Sequence, residues 1–157
     1  MNPTKFLLTA SLCAVAATSV ADNFVVLDSA RAAGIVNPAR YTRPTIVALW
    51  SSDCIHCKKN LKLFSELVKN HPQLQLITVA VEPLDEGLGE PLDRLGVPGT
   101  RFAYGGEAPE ALAYALDPKW RGELPRTILF DGRGGKVALS GVVTETTVRG
   151  SLALSAN

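Results

Sequence analysis

Trp50-Ser51-Ser52-Asp53-Cys54-Ile55-His56-Cys57-Lys58-Lys59 is the stretch on which the reading of this chain turns. Ahead of it, Thr45, Ile46, Val47, Ala48 and Leu49 form a run of apolar and β-branched residues that suits a strand covered on both faces. Behind it, Cys57, Leu61, Phe64 and Val68 recur at helical spacing, so one stripe of residues 55–69 is apolar while Lys58, Lys62, Glu66 and Lys69 face water. The strand therefore delivers Cys54 to the first turn of a helix. There, unpaired backbone N–H groups and the positive end of the helix dipole favour an anion, and a thiolate is the anion on offer. Cys57 lies one turn further in. Two cysteines three apart at a helix start can close a small disulfide ring, leaving an outer sulfur to attack and an inner one to resolve.

Two other readings compete. Free cysteines are often small buried hydrophobes. A structural zinc site wants four donors, whereas this pair supplies two thiolates and the only histidines are His56, between the cysteines, and His71, just past the helix. The order strand, motif, helix favours redox chemistry over both, with no metal.

The rest of the chain sets the frame. With 157 residues, 46% of them apolar and 20% charged, it can bury the core of one globular domain. A formal net charge of +1 offers no electrostatic reason to expect nucleic acid or an anionic membrane as a partner. Lys5 precedes an apolar run over residues 6–17, and Ser19-Val20-Ala21 presents the small residues a signal peptidase reads, so residues 1–21 are expected to be a signal peptide cleaved after Ala21. An uncleaved membrane anchor is the alternative. Cys13 falls in this segment, where bulky Leu12 spoils a lipoprotein box. The mature domain, residues 22–157, then has two cysteines, both in the motif, as suits an exported protein in a compartment where dedicated enzymes make and break disulfides.

Phe24-Val25-Val26-Leu27 reads as a short edge strand, and Gly34, Pro38 and Pro44 punctuate a loop leading to the central strand. After the motif helix, residues 74–81 read as a second buried strand, which completes a βαβ unit. Glu82 follows at once. A carboxylate at the C-terminal end of a parallel strand points toward the crevice where such sheets react, and could accept a proton from the inner thiol. With Pro83, Asp85, Glu86 and Glu90 around it, the local sequence favours a solvated loop acid instead. A short helix over residues 91–97, a strand over 101–104 and a helix over 109–116 make a small strand-and-helix insert. In the polar loop that follows, Trp120 is either a docking residue or an aromatic lid. Pro125 opens a strand-like run, which calls for an edge position or a cis Leu124-Pro125 turn, and the local sequence by itself favours a plain trans proline at the strand start. Residues 132–135 then turn the chain into an antiparallel hairpin, and Thr144 caps a closing helix that buries Val148 and Leu152.

Taken together, residues 50–58, the strand to Val81, Leu124-Pro125-Arg126-Thr127 with Asp131 and Gly135, and Gly141-Val142-Val143-Thr144-Glu145 resemble the thioredoxin superfamily. Within it they look most like the TlpA/ResA group of extracytoplasmic thiol-disulfide oxidoreductases. The resemblance implies a three-layer α/β fold, a mixed central sheet flanked by helices, with the segment from Glu82 to Leu116 as the group's insert. It implies that Cys54 is the nucleophile and Cys57 the resolving thiol. Pro125 would be the cis-proline beside the disulfide, offering backbone groups to a bound partner strand, with Leu124 and Trp50 as further client contacts. It also implies a glutamate near the active site, in the stretch where Glu82 stands.

Three positions depart from the family pattern. Asp53 stands where an aromatic residue is usual and opposes ionisation of the neighbouring thiol. Ala48 occupies the place from which thioredoxins present a buried carboxylate. His56 resembles the oxidising DsbA pattern, where a histidine between the cysteines helps hold the outer sulfur as thiolate. His56 and Asp53 therefore push in opposite directions, and a depressed Cys54 pKa with an intermediate potential is expected. The implied protein is a monomeric, periplasmic disulfide reductant without cofactor beyond its own Cys54-Cys57 pair. Its clients would carry cysteine pairs, as in apocytochrome c or a copper-site protein, and a membrane thiol reductase of the DsbD type would recharge it. The alternatives are a net oxidant or isomerase of the same fold, and a copper(I) chaperone using the same thiolates.

Overall fold

The apolar run ahead of the motif forms a strand, β2 (Thr45–Trp50), in which all six residues are buried. It lies at the centre of a six-stranded sheet seen in a computed structural model that describes residues 23–154. The expected signal segment, with Cys13 and the cleavage point after Ala21, lies outside the described residues. The other strands are β1 (Phe24–Leu27), β3 (Gln75–Pro83), β4 (Thr100–Tyr104), β5 (Arg126–Phe130) and β6 (Lys136–Ser140), in the spatial order β1-β4-β3-β2-β5-β6. The pairs β1/β4, β4/β3 and β3/β2 are parallel, whereas β2/β5 and β5/β6 are antiparallel, so the sheet is mixed as expected.

Among the described residues, five α-helices cover its two faces. The motif helix α2 (Ile55–Asn70) follows β2, and the short α3 (Glu90–Arg94) and the closing α5 (Glu145–Ser151) share its side of the core. On the other face, α1 (Ser29–Ile35) and α4 (Pro109–Leu116) bury Ala32, Ile35, Leu112 and Leu116 against Val47, Leu49, Ile128 and Phe130. Alternation along β2 makes this division. Ile46, Ala48 and Trp50 point toward α2, and Val47 and Leu49 point the other way.

Helix α1 falls where a loop was expected. It is short and contains Gly34, but Asp28 caps it by accepting a hydrogen bond from the Arg31 N–H. The expected insert contributes more than a surface excursion, because its strand β4 is fitted between β1 and β3. The hairpin and its glycines hold as read: the Asp131 carboxylate accepts the N–H groups of Arg133 and Gly135 across the turn. These bonds hold the Asp131 carboxyl below the usual carboxylate range.

The sheet register places one unusual row beneath α2. Ala48 pairs with Thr78 on one side and with Thr127 on the other, so both threonines share the Ala48 face. Both are buried, and neither hydroxyl has a protein partner. A hydroxyl removed from water without a partner costs free energy, and replacing it by a methyl of the same shape removes that cost. Thr78→Val and Thr127→Val should therefore each leave the protein as stable as before or about 1 kcal/mol more so in urea melts. A loss of that size in either variant would contradict the unbonded state of the hydroxyl.

Candidate active site

Cys54 is the N-cap of α2. Its backbone is extended, its carbonyl starts the helix by accepting from Lys58 N, and its sulfur accepts the Cys57 N–H at 3.0 Å. The sulfurs of Cys54 and Cys57 are joined as a disulfide, with the two Cα atoms 5.2 Å apart. Cys54 is half-buried, whereas Cys57 is 1% exposed. The geometry thus separates the two sulfurs into one that a partner can reach and one that only its neighbour can reach. When the bond is reduced, the Cys54 sulfur inherits an N–H donor and a helix start, both of which favour its thiolate.

The parallel strands β2 and β3 end at this rim, and the antiparallel β5 begins there. Beyond the Leu49–Arg126 pair, the register sets Pro125 opposite Trp50. The Leu124-Pro125 peptide bond is cis, as the family resemblance implied. Pro125 is buried and its carbonyl accepts from Gly141 N at 2.8 Å. Leu124 is half-buried, and among the described residues its backbone makes no hydrogen bond.

Trp50 requires a correction. It is 0% exposed and lies in the core beneath α2, because it shares the inward parity of Ile46 and Ala48. A side chain sealed in this way does not touch a client. Asp53 and His56 are both exposed and lie close to Cys54 in sequence, and among the described residues neither side chain makes a hydrogen bond or ion pair.

Glu82 is not a solvated loop acid. Its Oε1 accepts from Ser52 N at 2.5 Å and its Oε2 from Ser52 Oγ at 3.2 Å, tying the end of β3 to the turn just before Cys54. The cause is a register break between Ala80 and Pro83 in the β3/β4 ladder. Such irregularities re-aim a side chain near the end of a strand.

Two further devices escaped the sequence reading. Arg126, next to Pro125, is largely buried and reaches Asp117 Oδ2 at 2.5 Å and Ser140 Oγ at 2.6 Å. Ser140 in turn donates to Glu123 Oε1 at 2.5 Å, and Trp120 Nε1 to Glu123 O at 2.7 Å. This network closes the loop that enters the cis-proline, and makes Trp120 a half-buried lid over the core edge. The second device, Asn60, ties α2 to residues 141–143. A cavity of about 500 Å³ lies at the other end of the sheet near Arg43, Pro72 and Gln75, away from the sulfurs.

A disulfide at a strand-to-helix junction, with a cis-proline at the same rim of a sheet of this order, defines a thioredoxin-like fold. Comparison with solved structures supports that class. The chain is similar to a secreted Mycobacterium tuberculosis disulfide oxidoreductase homologous to E. coli DsbE, at 14% identity and a TM-score of 0.57 over 72% of this chain and 82% of that one. It is similar to a thiol-disulfide isomerase from Corynebacterium glutamicum, at 18% identity and a TM-score of 0.58 over 74% and 84% of the two chains. A thioredoxin-related protein from Neisseria meningitidis serogroup B matches at 21% identity and a TM-score of 0.56 over 72% and 84%. These likenesses bear out the fold. No protein-family model matches the chain, and no curated protein matches it in sequence.

The Arg126–Asp117 pair gives a pH signature. Burial alone would raise the Asp117 carboxyl, but the hydrogen bonds from Arg126 and Lys119 N and the nearby positive charge outweigh it and hold the carboxyl below its ordinary value. A depressed carboxyl contributes stability that is present above the unfolded pKa of about 3.9 and is lost as pH falls through the lower folded value. Asp117→Ala should cost about 2 kcal/mol at pH 7, since it removes the shortest ion pair of a largely buried guanidinium that keeps Ser140 and Glu123. In urea melts between pH 7 and pH 3, the variant should lose less stability on acidification than the parent. Parallel pH profiles would show that the pair contributes nothing.

Proposed function

We propose that the protein is an exported thiol-disulfide oxidoreductase that reduces disulfides in client polypeptides. The observation that carries this reading is the asymmetry of the pair: a partly buried Cys54 whose sulfur accepts the Cys57 N–H at a helix start, with Cys57 fully buried behind it. Reaction begins when the Cys54 thiolate attacks one sulfur of the client disulfide. The client S–S bond breaks, and its other sulfur leaves as a thiolate that takes a proton from water. Cys57 then loses its proton and attacks the Cys54 sulfur, which breaks the mixed disulfide and releases the second client thiol. The client gains two electrons, and the Cys54-Cys57 disulfide that remains needs a dithiol donor to recharge it.

Leu124, with its unbonded backbone groups beside the cis-proline, supports docking of an extended client strand. Asp53 and His56 act as surface charges on either side of the reactive sulfur, and Glu82 steadies the turn that presents it. By resemblance, the clients are cysteine pairs of the apocytochrome c or copper-site type, the donor is a membrane reductase of the DsbD type, and the compartment is the periplasm. No helix among the described residues is long and apolar enough to cross a membrane.

Trapping tests the reading. In Cys57→Ala the second step is blocked, so a covalent adduct with clients should accumulate, while Cys54→Ala should form none and lose reductase activity by a factor on the order of a thousand. The Cys54 thiol of the reduced protein should titrate below the ordinary value of about 8.5. Absence of any adduct in an extracytoplasmic extract, together with a thiol titrating at or above that value, would remove the enzyme reading. Equilibrium of the pair against glutathione fixes the direction: a potential near that of DsbA would make the protein an oxidant.

A further inference from the structure

Asn60 lies one helical turn beyond Cys57 and is 2% exposed, on a helix whose neighbouring Lys58, Lys59 and Lys62 reach toward solvent. A buried amide is costly unless its donor and acceptor are both engaged. Here both are. Asn60 Nδ2 donates to Gly141 O at 3.1 Å, and Asn60 Oδ1 accepts from Val143 N at 3.1 Å. One side chain thus pairs with both ends of the tripeptide Gly141-Val142-Val143, as the edge of a strand would. Gly141, at φ +86°, then passes the connection on, its N–H donating to Pro125 O at 2.8 Å. A continuous set of hydrogen bonds runs from the helix of the resolving cysteine to the cis-proline turn. Between the two tethered residues, Val142 is 52% exposed and its backbone makes no hydrogen bond among the described residues.

An apolar side chain at position 60 would leave the Gly141 carbonyl and the Val143 N–H without these partners, so the amide contributes to stability as well as to placement. What an apolar contact lacks is direction. Two hydrogen bonds from one rigid amide fix the height and tilt of the loop relative to α2 and hence relative to the sulfurs that α2 carries.

We propose that Asn60 is a positioning residue for client docking: it holds Val142 at a set place beside the cis-proline turn, so that an extended polypeptide meets Val142 and Leu124 together while its disulfide meets Cys54. The inference rests on the disulfide-exchange reading and specifies how that site favours a polypeptide over a small disulfide. A small disulfide needs only the sulfur. A polypeptide also needs the loop.

The test uses the full chain and two oxidised substrates, insulin as the polypeptide and dithiobis(nitrobenzoate) as the small disulfide. Val142 is exposed, so Val142→Ser folds as the parent does; it should raise KM for insulin about five- to tenfold, with kcat and the rate constant for the small disulfide within twofold. Asn60→Ala should show the same split. In a double-mutant cycle the two changes should be less than additive in KM, because both act through one contact. If Asn60→Ala slows both substrates alike, or if its effect on insulin KM is undiminished in the Val142→Ser background, Asn60 is only a structural tether and the proposal falls. Unchanged insulin KM in Val142→Ser overturns it too. A parent protein inert toward both substrates would instead overturn disulfide exchange itself, and the docking role with it.

Discussion

The contact between the Cys57 N–H and the Cys54 sulfur depends on where β2 stops. All six residues of that strand are buried, with neighbours hydrogen-bonded on both edges, so it cannot slide without moving an apolar side chain to the wrong face. Its end is therefore fixed, and the three-residue turn after Trp50 brings Cys54 to the one helix position where a side chain caps the N–H groups of the first turn. The placement of the Cys54 sulfur is a consequence of core packing several residues upstream.

Around this fixed point the connecting turns and loops are held by polar bonds. The turn before Cys54 is held by Glu82 through Ser52, the loop entering the cis-proline by Arg126 through Asp117 and Ser140, and the loop leaving β6 by Asn60. Each bond joins segments 9 to 83 residues apart in sequence. The division of labour has a physical basis. Apolar packing is strong but does not set direction, whereas hydrogen bonds contribute modestly to stability and set geometry closely.

The same division explains what could be read from the sequence. The β2–motif–α2 core was legible because its signals are local: a β-branched run, a helical stripe, and two cysteines at fixed spacing. β3, β4, α4 and the hairpin were legible for the same reason, within a residue or two at their ends. The cis form of Pro125 came from family resemblance, since residues 124–131 alone would suit a trans proline. Trp50 was misplaced although the needed signal was present, because alternation from Ile46 and Ala48 puts it inside. Helix α1 was missed because two buried side chains, Ala32 and Ile35, make too faint a stripe, and Asp28 was the only cap to betray it. Glu82, Arg126 and Asn60 were beyond local reading, since nothing beside them in the chain names Ser52, Asp117 or Gly141 as partner. For Asn60 there was one clue, an amide three residues after Cys57 at the margin of the apolar stripe.

The electrostatics of the outer sulfur can be weighed from these positions. Ala48 leaves no carboxylate beneath α2, and the row it shares with Thr78 and Thr127 holds hydroxyls alone, so no buried charge opposes a thiolate from below. Asp53 and His56 are exposed, where a unit charge at 4 Å is worth about 1 kcal/mol in water, and the two carry opposite influences. A direct N–H bond to an ionised acceptor is worth about 1.5–3 kcal/mol, and the helix start adds about 0.3–1 kcal/mol more. The sum favours the anion even with Asp53 next to it. In the proposed exchange, backbone geometry chiefly sets the reactivity of Cys54, and the flanking charges act as a trim on it.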